Sequence, residues 1–428
     1  MQLFGAIGVA LLVPTFAAAQ PARVVVARSD SPAATFCARP GNGNVFTVLP
    51  DKADLFAGDM IVSLPGGTLS SKSGAITVKS LADFNAKSSL PILETALSLA
   101  ESNEADLDLT LDRGRVDITN TKASGSATVR VRFWGESWKI VLDSPQSRVA
   151  VELCGRWMAG SRFKPAEPDS DPKKLPCPAA SLVFLVLNGS ASVNVGTTSL
   201  GMKAPPGPAE LVWNSLLGVR LQAQKLEKVP EWADRDTVLS ADGKKVAAAC
   251  EKFRMARAAD PAKALDTFLT SSDPVELRVA LVALGTLDDV DRLGKTLVAK
   301  TAEEWDYGIT VLRHWLGHCP GQDQRLYKML TSRGGYTANE AQVIMQLLFG
   351  FSREDAVAPE TYEVLIDYLA HEKPGIRNLA VWHLARLVPQ AKSIPFKPGG
   401  TAEDVEEWLA AWKKLIPGGQ LPPRTKKE

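Results

Sequence analysis

The spacing of apolar side chains changes along this chain of 428 residues, and that change constrains the fold more than any other feature. In the first half apolar and polar residues alternate, as in TVRVRF at 128–133, which is typical of a strand with one buried face. From about Val246 apolar residues recur every three or four positions, which is typical of helices that pack on one face. We therefore predict an α+β multidomain protein, with an N-terminal all-β sandwich or roll followed by a C-terminal helical array.

Turn signals and composition divide the chain further. A short apolar run ends in Ala17-Ala18-Ala19, which suits cleavage by signal peptidase and is too short to span a bilayer. Gly114 is predicted to mark a turn between strands. We predict a signal peptide (1–19), a flexible leader (20–44), an all-β domain (45–221) that includes two related units (45–162 and 179–221), a connector (222–245), a helical repeat domain (246–416) and a disordered tail (417–428).

Charge and targeting signals limit the functional class. The chain has 49 basic and 48 acidic residues, a net charge of +1, and this balance excludes a dedicated nucleic-acid binder. The signal sequence predicts an exported protein, periplasmic or extracellular and associated with the cell envelope. We expect no transmembrane segment after the signal is removed.

Helix starts are well marked in the second half. Asp260-Pro261 and Asp273-Pro274 place an N-cap acid before proline at the first helical position. Capping boxes are predicted at Thr301, Thr337 and Thr401. Starts near residues 302, 338 and 374 are about 36 residues apart, within the range of helical-pair repeats. Such pairs leave apolar surface that the next pair covers, which predicts an α-solenoid.

Residues 45–157 resemble the FecR-like domain of bacterial envelope proteins. The resemblance is carried by LFAGDMIVS at 55–63, LDRGRVDI at 111–118 and SPQSRVAVELCGRW at 144–157. The glycine-threonine that ends the family's last strand is replaced here by Gly155-Arg156. The resemblance implies a periplasmic β domain that makes contacts in cell-surface signalling.

The helical half is similar to HEAT-type repeats. The resemblance is carried by HEKPGIRNLAVWHLARL at 371–387, in which Pro374, Arg377 and Ala380 are placed as in the second helix of a repeat. It implies stacked helical pairs that present an extended surface to protein partners.

One set of residues predicts a binding surface on the β domain. These residues, here called the Arg/Trp stripe, are Arg130, Arg132, Trp134, Trp138 and Lys139. Arginine and tryptophan are enriched at binding hot spots, so the stripe could hold a polysaccharide or an acidic peptide. The alternative is that the arginines pair with Asp117 and neighbouring acids while the tryptophans complete the core. We expect serine at both arginines to leave folding intact if the stripe is a binding surface.

Two further sets of side chains could hold a metal or form a cross-link. His314, His318 and Cys319 form a weak metal candidate, since histidines at i and i+4 share one helix face. Trp315 replaces the glutamate of a zinc-protease helix, no third ligand is evident, and a helix-end role is the alternative. Cys154 and Cys177 flank one loop and form either a disulfide or two separately buried thiols.

No nucleophile elbow, phosphate-binding loop or dinucleotide fingerprint is present, and we predict a non-enzymatic protein without a cofactor. The first hypothesis is a sensor or scaffold that binds a protein partner in the envelope. The second is a module that binds polysaccharide or cell wall through the Arg/Trp stripe. The third is a hydrolase whose site assembles only in three dimensions.

Overall fold

The computed structural model describes residues 23–85, 92–167, 171, 175–217, 222–299, 301–394 and 400–423. In this part of the chain a large mixed β region, residues 25–225, precedes a region of ten helices. The predicted order of the two halves is therefore confirmed. The predicted signal peptide lies outside the described residues.

The β region contains seventeen described strands. In chain order they are β1 (Val25–Ser29), β2 (Phe36–Arg39), β3 (Thr47–Val48), β4 (Asp54–Phe56), β5 (Met60–Ser63), β6 (Thr68–Ser71), β7 (Ile76–Ser80), β8 (Thr95–Ala100), β9 (Leu107–Asn120), β10 (Ala127–Phe133), β11 (Glu136–Leu142), β12 (Arg148–Arg156), β13 (Ala179–Asn188), β14 (Ser190–Val195), β15 (Thr198–Lys203), β16 (Pro208–Asn214) and β17 (Gln224–Lys225).

The described helices follow. They are α1 (Ala241–Ala259), α2 (Pro261–Leu269), α3 (Pro274–Thr286), α4 (Val290–Lys295), α5 (Ala302–Leu316), α6 (Gln322–Ser332), α7 (Ala338–Phe349), α8 (Pro359–Tyr368), α9 (Pro374–Leu387) and α10 (Ala402–Leu415). None of these ten has the length and apolar character needed to cross a membrane.

Strand β9 joins two groups of strands, and Gly114 is the point of transition. Residues before Gly114 pair with β8 and β10, and residues from Gly114 onward pair with β7 and β12. Gly114 has a φ of +96°, and a Cβ there would lie 2.4 Å from the carbonyl oxygen of Glu94. The predicted turn at Gly114 is therefore wrong: glycine bends one continuous strand, because no other residue fits the conformation and the close approach.

Three predicted segments differ from the structure. The leader is not flexible throughout, because β1 and β2 lie within it; β1 pairs with β4 and β6 and buries Ala27 and Ser29. The connector contains β17 and the first residues of α1. The tail is described as far as Pro423, and Gly419 N–H donates to Glu363 on α8, so this part is held in place. Residues 424–428 lie outside the described residues.

Helix starts agree with the capping signals. Asp260 and Asp273 accept hydrogen bonds from the first turns of α2 and α3. Complete capping boxes form at Thr337 and Thr401. At Thr301 the side chain accepts from Glu304 N, as the prediction requires for the N-cap. These caps satisfy backbone donors that a helix start otherwise leaves unpaired.

The two halves pack against each other through residues 157–167, here called the strap, which follow β12 and cross α5, α6 and α7. Trp157 of the strap stacks on Phe349 with ring centroids 4.2 Å apart, and its Nε1–H donates to the Leu316 carbonyl at 3.1 Å. Phe163 packs between Tyr327 and Phe349. The hydrophobic core of the helical region therefore includes side chains from the β region.

The backbones of the two halves also touch directly at two glycines. A Cβ on Gly317, at the end of α5, would lie 2.2 Å from the Gly155 carbonyl oxygen on β12. A Cβ on Gly155 would lie 2.0 Å from the Gly317 carbonyl oxygen. Contacts this short leave no room for a side chain at either position.

We expect Gly317→Ala to lower the free energy of unfolding by about 1–3 kcal/mol, the usual cost of overpacking. Gly317 has a φ of −85°, which alanine accepts, so the loss would report the clash alone. The measurement is urea denaturation followed by circular dichroism. Gly201→Ala is the control, because no heavy atom lies within 4 Å of its Cβ position. Equal stability of the two variants would contradict this packing.

Candidate functional site

The Arg/Trp stripe is only partly a surface. Trp138 is 1% exposed and packs edge-on against Phe133 in the β core, so its ring cannot contact a ligand. Trp134 is half-buried against the same core, and Lys139 is exposed. The row of exposed tryptophan rings that a polysaccharide-binding sheet requires is therefore not formed by these residues.

The arginines of the stripe neutralise a buried acid. Arg132 donates to Asp108 Oδ2 at 2.7 Å and Arg130 lies 3.4 Å from the same oxygen. The Asp108 side chain is fully buried on β9, which runs parallel to β10 and places the residues side by side. The predicted partner Asp117 pairs instead with Arg148 and Arg235. Arg130 and Arg132 therefore have a structural role, whatever else they bind.

The cysteines form no disulfide, and all five are free thiols. Cys154 is buried on β12 while Cys177 is exposed, so the candidate bridge between them is absent. The alternative of two separately buried thiols holds only for Cys154.

A buried polar cluster, here called the histidine cluster, lies where the two halves meet. It consists of Glu94, His314 and His318. Glu94 Oε1 is 3.4 Å from His314 Nε2 and 3.6 Å from His318 Nε2. His314 is in the last turn of α5, and the Gly155–Gly317 contact presses the end of that helix against β12.

Charged groups around the cluster shift its titration. Burial opposes ionisation of Glu94, but contacts with His314 and the charge of Arg113 outweigh it and lower the pKa of Glu94. Burial disfavours the His314 cation, yet contacts with Cys154 and Glu94 raise its pKa to about 9. Burial, followed by the charges of Arg113 and His314, lowers the pKa of His318 well below its usual value. The two histidines thus have opposite protonation preferences.

The predicted metal set is only partly assembled. The structure brings His314 and His318 together, but the third member is Glu94 rather than Cys319. Acidic neighbours of Cys319 are Asp112 and Asp288, and burial foremost raises the pKa of its thiol to about 11. Sequence reasoning missed Glu94 because it lies 220 residues before His314 and has no motif around it. An acid within an apolar segment, LPILETALSL, was the available signal.

A groove opens beside the cluster, between the end of β12, the strap and helices α5, α7 and α9. Its volume is about 630 Å³. Trp157 and Phe349 form one wall, and Trp382 of α9 forms the other. Its polar side chains, which sequence reasoning did not single out, are Arg156, Arg313, Arg386 and His314.

The groove is strongly cationic. Arg386 lies 3.7 Å from the Trp382 ring centroid and pairs with Asp306. Arg313 lies over the same ring at 5.0 Å, and neither Arg313 nor exposed Arg156 has a carboxylate partner among the described residues. Burial and then the charge of Arg386 lower the pKa of Arg313 to about 10, so it stays protonated at neutral pH. The groove can therefore bind an anion.

Comparison with known proteins gives no relative: no family model, no curated protein and no solved structure matches this chain. The resemblances to FecR-like and HEAT-type sequences therefore remain predictions.

We expect serine at both Arg130 and Arg132 to destabilise the fold, in contrast to the expectation from sequence. The double change leaves the Asp108 carboxylate buried without a cation, and the cost is about 2 kcal/mol. That figure is below the usual range for buried pairs because both arginines are partly exposed. Adding Asp108→Asn should recover most of the loss in urea denaturation. Unchanged stability of the double variant would show that the pairs contribute nothing.

We expect His383 to destabilise the protein in acid. Its ring Nε2 lies 2.6 Å from the Leu347 carbonyl oxygen. Burial first, and then the charges of Arg313 and Arg386, lower its pKa to about 3. Below pH ~6.5 the unfolded chain gains a proton that the native protein does not, so stability falls as pH drops from about 6.5 towards 3.

Between pH 7 and pH 5 this linkage amounts to about 2 kcal/mol. His383→Gln should reduce the acid-induced loss of unfolding free energy by that amount, measured by urea denaturation at both pH values. A constant offset between the two proteins reports lost packing only. Parallel pH dependences would contradict the assigned shift.

Proposed function

We propose that this is a non-enzymatic, exported sensor or scaffold protein of the cell envelope, which binds an acidic segment of a protein partner in the arginine groove. The observation that carries the proposal is the pair of unpartnered cations, Arg156 and Arg313, at a groove of about 630 Å³. Partly desolvated guanidinium groups without a counter-ion are costly unless a ligand supplies one.

The lining of the groove favours a peptide. Trp157 and Trp382 give flat apolar surfaces, and Met158, 46% exposed, lies at the same site. Tryptophan, methionine and arginine are the residues enriched at the centres of protein interfaces. A partner seated there would contact both the β region and the helices, as expected of a scaffold.

The finer architecture is part of the proposal. The helices from α2 to α9 are consistent with HEAT-like pairs stacked into an α-solenoid, and the β region with a FecR-like sandwich built from two related units. The capping boxes at Thr337 and Thr401 support regular helix starts in the solenoid. Export is supported by the apolar run and alanine triplet at the N-terminus.

The histidine cluster gives little support to the hydrolase alternative. Glu94 and His318 are each 3% exposed, so a substrate has no access to the carboxylate and imidazole that would act on it. The polysaccharide alternative loses Trp138 to the core but retains Lys139 as an exposed cation.

We expect Arg313→Gln to weaken binding of a fluorescein-labelled hexaglutamate peptide about tenfold, because a hydrogen bond to a charged group contributes roughly 1.5–3 kcal/mol. Fluorescence anisotropy at fixed ionic strength measures the change. Lys139→Gln removes one cation outside the groove and should change the affinity less than twofold. Loss that follows Lys139 instead of Arg313 would place binding on the Arg/Trp stripe and contradict the groove.

A further inference from the structure

The histidine cluster contains more hydrogen-bonding capacity than its surroundings satisfy. His314 Nε2 and both ring nitrogens of His318 are buried and have no hydrogen-bond partner among the described protein atoms. Buried polar atoms are rarely left unpaired in native proteins, because each costs about 1–3 kcal/mol. Three such atoms on two adjacent imidazoles therefore require an explanation specific to this site.

The geometry points to a metal ion: we propose that Glu94, His314 and His318 bind Zn²⁺. Zinc–ligand bonds of about 2.0–2.1 Å in a tetrahedral site place ligand atoms about 3.3–3.4 Å apart. Glu94 Oε1 lies 3.4 Å and 3.6 Å from the two Nε2 atoms, and the three ligand atoms lie within 4.8 Å of one another. Small side-chain rotations complete such a site.

The donor set selects the metal. Two imidazoles and one carboxylate suit zinc, whereas Mg²⁺ and Ca²⁺ bind through oxygen alone. The buried thiol of Cys154 contacts His314 and supplies the nearest fourth group of ligating type. Full burial makes the site closed, as in structural zinc sites, so the ion would stabilise the fold and not act on a substrate.

The surrounding charges permit a cation. Arg113 lies 3.8 Å from Glu94 Oε1, but it is also paired with Asp112 and donates to the Thr286 carbonyl at 3.0 Å. Two carboxylates against one guanidinium leave one negative charge to attract the ion when both histidines are neutral. Arg113 thus orients the Glu94 carboxylate from the side away from the histidines' shared face.

The ligands come from both halves of the molecule. Glu94 precedes β8 and is held where β9 bends at Gly114, while His314 and His318 lie at the end of α5. A zinc ion would therefore join the β region to the helices at the point where Gly155 and Gly317 meet. Its binding free energy would add to the stability of the whole chain.

The test uses the full chain, stripped of metal with a chelator and then titrated with Co²⁺ and with Zn²⁺. We expect one equivalent of Co²⁺ to give the visible absorption of a tetrahedral site, and Zn²⁺ to displace it and raise the melting temperature. Neither readout needs a variant. Absence of both the absorption and the thermal shift would overturn the proposal.

Variants then identify the ligands. Glu94→Gln and His318→Ala should each weaken Zn²⁺ binding about 100-fold or more in competition with a chromophoric chelator. Cys319→Ser is the matched control, since that thiol is adjacent in sequence but outside the cluster, and its affinity should equal that of the unaltered protein. Circular dichroism without metal establishes that each variant is folded. Equal affinities for all four proteins would place the ion elsewhere and refute the assignment.

Discussion

The contact between strand β12 and the end of helix α5 is the constraint on which the rest of the structure depends. Two glycine backbones approach there so closely that neither position accepts a Cβ. The contact brings His314 and His318 to Glu94 and leads the strap across the helices. The histidine cluster and the arginine groove therefore lie on opposite sides of one seam, and each takes residues from both halves.

The treatment of buried charge distinguishes structural residues from those available for binding. Asp108 is satisfied by Arg130 and Arg132, and Asp117 by Arg148 and Arg235. These groups are paired within the fold and need no ligand. Arg313 differs, because its neighbours include another cation and an aromatic ring. That contrast is the physical basis for assigning the groove, and not the stripe, to a partner.

Sequence reasoning predicted what depends on local periodicity and missed what depends on distant pairing. The alternation in β10 and the caps of α2, α3, α7 and α10 were predicted because each acts over a few residues. The early strands β1 and β2 are short, and their partners lie up to about 40 residues away, so their composition suggested a leader. Glu94 and the groove arginines depend on contacts across roughly 200 residues, which no local pattern encodes.

The strap has a consequence for how the chain acquires its structure. Phe163 completes a core whose other members are synthesised more than 100 residues later. The middle of the chain must therefore wait for its second half before it is sheltered from water, and such non-local closure slows folding. A chain with this topology benefits from being kept open until synthesis is complete, which is the state in which a polypeptide is threaded through a translocation channel.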